Sequence, residues 1–186
     1  RSLAMTPVLP GSDGPVPAAL KSRYPKAKLN SPGKWGGFPD QYHASFLDPL
    51  DPLFEKIQHA FIQQQTRLFG TDHIYGADPF NEVTPPSWDP SYLATVSRVI
   101  YHSMEQADPK ARWLQMGWIF YYQRRNWTNV RIDSFLRAVP QDKMILLDYY
   151  AEKTEISKIT DRFFNQPYIW CYLGNFGGNT SLAGNL

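Results

Sequence analysis

Glu82 ends the run Asp78-Pro79-Phe80-Asn81-Glu82, in which a carboxyl directly follows a carboxamide just beyond an apolar stretch. Three other apolar stretches end in the same manner: one at Trp118, one at Asp148 with Tyr149 and Glu152 close behind, and one at Asn175-Phe176-Gly177-Gly178-Asn179. Carboxylates, carboxamides and aromatic rings are together what holds a sugar, by hydrogen bonds to its hydroxyls and flat contact with its C–H face. A carboxyl placed as Glu82 is could protonate a leaving glycosidic oxygen while a second carboxyl meets the oxocarbenium charge. Spacing alone leaves Glu82 open between that role and a solvated loop carboxylate beside Thr84-Pro85-Pro86.

The other candidates carry their own alternatives. A carboxylate such as Asp148, closing a nearly continuous apolar run, must either be paired or line a cavity, and the cavity is the expectation here. For Trp113 and Trp118 core packing is favoured over ligand contact on the residues alone. Trp35 lies among glycines, where a large ring has little core to join, so a ligand platform or partner contact fits it at least as well.

Several function classes lack their defining parts. The net charge of +2 comes from nearly balanced acidic and basic residues without a run of five like charges, so the footprint of a nucleic-acid binder is missing. No run of about 18 apolar residues suits a membrane span. Cys171 is the only cysteine, no two histidines stand at the i, i+4 spacing of a helical zinc pair, and neither a Gly-x-Ser-x-Gly elbow nor a glycine-rich nucleotide fingerprint occurs. Metallohydrolase, serine hydrolase and nucleotide-binding readings are thereby disfavoured.

The elements that must position these residues follow from local chemistry. An apolar run at residues 3–9 predicts a strand, closed by Pro10, and the Pro-, Gly- and Lys-rich segment 11–46 predicts one long loop. Asp51-Pro52 predicts a capped helix start, with Phe54, Ile57, Phe61 and Leu68 on its inner face and Gly70 as its stop. A strand at 73–77 then delivers Asn81 and Glu82. Asp89-Pro90 predicts a second helix with Leu93, Val96, Ile100 and Met104 inward, and residues 112–120 a strand ending at Trp118. A third helix at 130–139 buries Ile132, Phe135, Leu136 and Val139, and strands at 144–148 and 167–173 complete the pattern. Alternation of this kind predicts an α/β fold with about five parallel strands and flanking helices. Periodicity does not choose between a doubly wound sheet and part of a TIM barrel, but five strands cannot close an eight-stranded barrel. On that reading, missing barrel strands or a second copy would be needed to cover the exposed edges.

Three ordered stretches carry a resemblance. Met5-Thr6-Pro7-Val8-Leu9-Pro10, Phe69-Gly70-Thr71-Asp72-His73-Ile74-Tyr75-Gly76-Ala77-Asp78 running into Phe80-Asn81-Glu82, and Ile169-Trp170-Cys171 with Asn175-Phe176-Gly177-Gly178-Asn179 resemble the α-N-acetylglucosaminidase family of glycoside hydrolases. The resemblance implies a partial (β/α)8 TIM barrel, with residues 1–186 a single internal fragment of the catalytic domain. It further implies removal of terminal α-linked N-acetylglucosamine from a carbohydrate with retention of configuration, and no metal or organic cofactor. Glu82 matches the family's general acid/base and Asn81 its neighbouring sugar-binding amide. Trp35, Trp118, Tyr149 and Phe176 fall at pocket-lining positions, and Asp148 and Asn175 join them as substrate-binding candidates. The implied nucleophilic glutamate lies downstream of Leu186 and Glu152 is no substitute for it, so this stretch alone is expected to be inactive. A non-catalytic sugar-binding or structural piece of the same barrel is the alternative. Family members occur in extracytoplasmic settings, periplasmic or secreted in bacteria and lysosomal in animals. One departure follows the first strand, where related sequences end a loop in Gly-His-Val-Pro and this one has Gly11-Ser12-Asp13-Gly14-Pro15-Val16-Pro17, which reads as a flexible linker.

Overall fold

The computed structural model of the chain describes residues 3–30, 38, 39, 42, 44–81 and 83–172. Parallel strands β1 (Leu9–Pro10), β5 (Ile74–Gly76), β6 (Arg112–Met116), β7 (Met144–Tyr149) and β8 (Tyr168–Cys171) form one sheet in that spatial order, each paired in parallel with the next. Among these strands spatial order equals chain order. A doubly wound sheet reverses its order at a switch point; this one keeps adding strands on the same side, which is the winding of a (β/α)8 barrel.

Helices join the strands where the capping chemistry allows. Asp51 accepts from Leu53 N at 2.8 Å to start α2 (Pro52–Phe69), and Gly70 ends it with its amide on Thr66 O. The inner face of α2 is Phe54, Gln58, Ile62 and Gln65, whereas Phe61 and Leu68 are 42% and 65% exposed, so the expected face is corrected. The cause is polar. Gln58 Nε2 donates to Ser103 Oγ at 3.1 Å, its Oε1 accepts from Ser12 N, and Gln65 Nε2 donates to Pro10 O at 2.8 Å. Two glutamines thus face inward because they tie down the chain after β1. In α3 (Pro90–Ala107), capped by Asp89, the expected Leu93, Val96, Ile100 and Met104 are all fully buried. The same holds for Ile132, Phe135 and Leu136 of α5 (Asn129–Arg137). Between sheet and helices sits an aromatic core in which Trp113 meets Phe135 edge-on at 5.8 Å and Trp127 meets Phe120 and Phe135 at 5.2 and 5.6 Å. Trp113 therefore belongs to the core.

Three boundaries differ from expectation. β1 is only Leu9–Pro10, with Leu3 and Met5 exposed. The strand expected over 112–120 stops at Met116, and α4 (Trp118–Tyr122) follows. Gly117 makes that break: its amide donates to Leu147 O, and a Cβ there would meet the same oxygen at 2.7 Å. Segment 11–46 is not one loop. It carries β2 (Pro15–Val16), the short helix α1 (Leu20–Arg23), β3 (Leu29–Asn30) and β4 (Ser45–Leu47), the strands pairing antiparallel in the order β2-β4-β3. Two- and three-residue strands offer no period to read. Short turns α6 (Ile156–Ile159) and α7 (Asp161–Phe164) precede β8.

Candidate functional site

Because the five strands are parallel, the residues that follow their carboxyl ends gather on one side of the sheet. After β1 the chain is held closely. Gly11 N donates to Gly76 O at 2.6 Å, Ser12 N to Gln58 and Leu47 N to Gly14 O at 2.8 Å. Gly14 adopts φ +114 with the Phe46 ring 2.5 Å from where a Cβ would stand, a place only glycine can take. The expectation of a flexible linker is corrected. The packing sets Asp13 half-buried beside the end of β5, where burial pushes its carboxyl up against the opposing pull of its own amide and that of Asp78.

After β5 comes Asp78, whose Oδ1 accepts from Met116 N at 2.6 Å and from Gln115 Nε2 at 2.9 Å. Burial, together with the nearby Asp13 charge and against the Met116 amide, pushes its carboxyl up to about 6. The chain then turns, Asn81 N donating to Asp78 O and Val83 N to Phe80 O, both at 3.2 Å. Phe80 holds a left-handed φ of 65°, unusual for a bulky residue, and is pinned by stacking on Phe46 at 6.2 Å. Asn81 presents a buried Oδ1 that meets no hydrogen-bond partner among the described residues. Glu82 lies outside the described residues, as do Trp35, Asn175 and Phe176.

After β6 and β7 the site turns aromatic. Trp118 opens α4 half-buried, packed against Tyr121 at 5.0 Å and Tyr150 at 6.2 Å. Tyr149 closes β7 half-buried, opposite Cys171 in register. Asp148 points the other way, since successive strand residues face opposite sides of the sheet. It is fully buried, with Ile156 N at 2.8 Å on Oδ1 and Ser157 N at 3.3 Å and the Ser157 hydroxyl on Oδ2. Of the two alternatives for Asp148 the structure gives pairing. The cavity expectation is corrected: the carboxylate is spent on the first turn of α6.

The described candidates thus divide. Asn81, Trp118 and Tyr149 stand at the carboxyl ends of consecutive parallel strands, and Asp148 leaves the set. Asp13 and Asp78 join it. Asp78 lies just past a strand, and its legible signal is a carboxylate followed by proline, placed where a ladder amide needs an acceptor; Asp13 is hidden in the sequence by its glycine neighbours. Among the described residues no three His, Cys, Asp or Glu side chains converge as a metal ion would require, and no helix is long and apolar enough to cross a membrane. A groove of about 860 Å³ beside the first turns of α2, lined by Arg23, Tyr24, Lys26, Lys28 and Lys56 among others, holds none of these candidates.

Comparison with known proteins gives a consistent picture. The model of the alpha-N-acetylglucosaminidase (NAGLU) tim-barrel domain matches residues 1–186. Human alpha-N-acetylglucosaminidase is 45% identical over 187 aligned residues, covering 100% of this chain and 25% of the human protein. A family 89 glycoside hydrolase from Clostridium perfringens, solved with 2-acetamido-1,2-dideoxynojirmycin, superimposes with a TM-score of 0.76 at 26% identity over 95% of this chain and 19% of that one. A substituted form of the Clostridium perfringens protein, in complex with its substrate GlcNAc-alpha-1,4-galactose, gives 0.74 at 26% identity over 94% and 19%. The chain spans about a quarter of the length of its curated human relative.

Proposed function

Since the chain belongs to the alpha-N-acetylglucosaminidase TIM-barrel family, we propose that it supplies the acid/base part of a retaining exo-glycosidase acting on terminal α-linked N-acetylglucosamine, with Glu82 as proton donor. The observation that carries the reading is the turn after β5. It sets Asn81, whose buried Oδ1 has no partner among the described residues, one residue before Glu82 at the carboxyl end of a parallel barrel strand, the end at which barrel enzymes do their chemistry.

The chemistry then divides among groups. Glu82 protonates the departing glycosidic oxygen and, in the second step, takes a proton from the attacking water. A second carboxyl about 5–5.5 Å away attacks the anomeric carbon in such enzymes, and on this reading it comes from chain downstream of residue 186. Asn81 Oδ1 can accept from a sugar hydroxyl or the acetamido N–H. Trp118 and Tyr149 offer apolar faces to the ring. An extracytoplasmic setting belongs to the same proposal.

The test is hydrolysis of an α-N-acetylglucosaminide by this chain and by a form extended to family length. The extended form should turn over, and Glu82→Gln should lower that turnover by about 10²–10⁴-fold, the usual worth of general acid–base catalysis. Undiminished turnover by the Glu82→Gln protein would sink the assignment.

A further inference from the structure

The hydrogen bonding at the end of β5 follows a parallel ladder up to one position and then departs from it. With Tyr75 opposite Trp113 and Gly76 opposite Leu114, the next residue pair is Ala77 with Gln115. In a parallel ladder Ala77 N donates to the carbonyl of the residue before its partner, and its own carbonyl accepts from the amide of the residue after. The first bond is present, Ala77 N to Leu114 O at 3.2 Å. The second is replaced. Ala77 O accepts from the Trp113 indole at 2.7 Å, and the Met116 amide that would have used it donates instead to Asp78 Oδ1 at 2.6 Å.

A side-chain carboxylate has therefore taken the place of the last ladder carbonyl. Gln115, fully buried, adds a second donor to the same oxygen at 2.9 Å. From the other side the Asp78 amide is directed at the Asp13 carboxylate after β1. Asp78 is thus bonded to the end of β6, and its own carbonyl receives Asn81 N. Two residues on, Phe80 is held at φ 65°, a conformation that persists only where its surroundings fix it at both ends. Phe46 holds the ring, and Asp78 holds the chain entering the turn.

We propose that Asp78 is a positioning residue for the proton donor, its carboxylate standing in for the terminal ladder carbonyl and so fixing where the chain leaves the sheet toward Asn81 and Glu82. The inference rests on the assignment of Glu82 made above. It has a signature that general structural support lacks. A misplaced proton donor harms cleavage only when the leaving group needs a proton, so the loss must grow with leaving-group basicity.

The experiment compares kcat/KM, which reports the first chemical step, on an activated nitrophenyl α-N-acetylglucosaminide and on GlcNAc-α-1,4-galactose, in the family-length protein. Asp78→Ala should lower kcat/KM on the disaccharide by about 100-fold, the scale of loss expected from misplacing a reacting group by about 1 Å, with a much smaller loss on the nitrophenyl substrate. Asp78→Asn keeps an acceptor oxygen for the Met116 and Gln115 donors and should recover most of the loss. Equal losses on both substrates, or no recovery with asparagine, would overturn the proposal. If Asp78→Ala does not fold, Gln115→Met removes one of the two donors and should show the same leaving-group dependence in smaller measure; its absence also overturns the proposal. Glu82→Gln measured alongside separates the two ideas. If it shows no leaving-group dependence, the proton-donor assignment fails; if it does and the Asp78 variants do not, only this inference fails.

Discussion

Replacing Asp148 with alanine should destabilise the folded protein without touching sugar binding. The carboxylate is fully buried and accepts from the amides of Ile156 and Ser157 and from the Ser157 hydroxyl. A hydrogen bond to a charged group contributes about 1.5–3 kcal/mol, so three would come to roughly 4.5–9 kcal/mol if nothing relaxed. Water can enter the vacated space and the first turn of α6 can shift, which brings the expected loss to about 3–5 kcal/mol, the range seen when a buried polar network is broken. Asp148→Asn keeps an oxygen for Ile156 N but turns an NH2 toward Ser157, whose hydroxyl can accept and whose amide cannot, so about 1–2 kcal/mol should be lost. Urea unfolding gives both values from the shift in midpoint at constant slope, and titration with N-acetylglucosamine gives the affinity. Unchanged midpoints with weakened sugar binding in the asparagine variant would refute the reasoning and return Asp148 to the pocket.

Other variants read other parts of the structure. Tyr149→Ala should show the reverse pattern, weaker sugar binding with little change in unfolding midpoint, because Tyr149 is half-buried at the strand end and faces away from Asp148; calorimetric titration checks it. Gly14→Ala should lose about 2 kcal/mol or more, because a Cβ would combine a left-handed φ with a clash on the Phe46 ring, and a thermal melt would show it. At the opposite end of β5, burial disfavours the Asp108 carboxylate, but hydrogen bonds from His73, Tyr75 and the Lys110 amide, with the His73 charge, outweigh it and lower its pKa overall. A carboxylate with a depressed folded pKa stabilises the fold above the unfolded value of about 3.9, and this is lost as pH falls through the folded value. Asp108→Asn should therefore lower the melting temperature at neutral pH and flatten its fall below about pH 4; an unaltered acid limb would count against the network.

What could be read from the sequence was what has a period or a cap. Asp51 and Asp89 before proline marked the starts of α2 and α3, and the buried residues of α3 and α5 fell where 3.6-residue spacing put them. Four of the five strands were legible as apolar runs, whereas the run at 3–9 overlaps β1 only at Leu9, and the winding direction was not legible, since pairing order is a long-range property that no local pattern encodes. On α2 the hydrophobic pattern misled because the inner face is set partly by Gln58 and Gln65, chosen for the backbone groups they satisfy. The small sheet within 11–46 was invisible for want of length. Asn81, Trp118 and Tyr149 lie where position at strand ends put them, and their part in binding belongs to the proposal. Asp148 was found by the same rule and misread, because a strand-end residue can face the helices as readily as the pocket. Asp13 looked like part of a linker, and only the contacts of Gly11 and Gly14 show that stretch to be packed beside the end of β5.

The central claim is that Glu82 is the acid/base of a retaining glycosidase, and chemical rescue tests it most directly. Family-length protein carrying Glu82→Gln, given an activated nitrophenyl α-N-acetylglucosaminide and azide, should regain turnover and release the α-configured glycosyl azide. The glycosyl intermediate would still form with a leaving group that needs no proton, and azide would attack it without needing a general base. Release of the β-configured azide, or an azide-independent rate equal to that of the unsubstituted protein, would contradict the account.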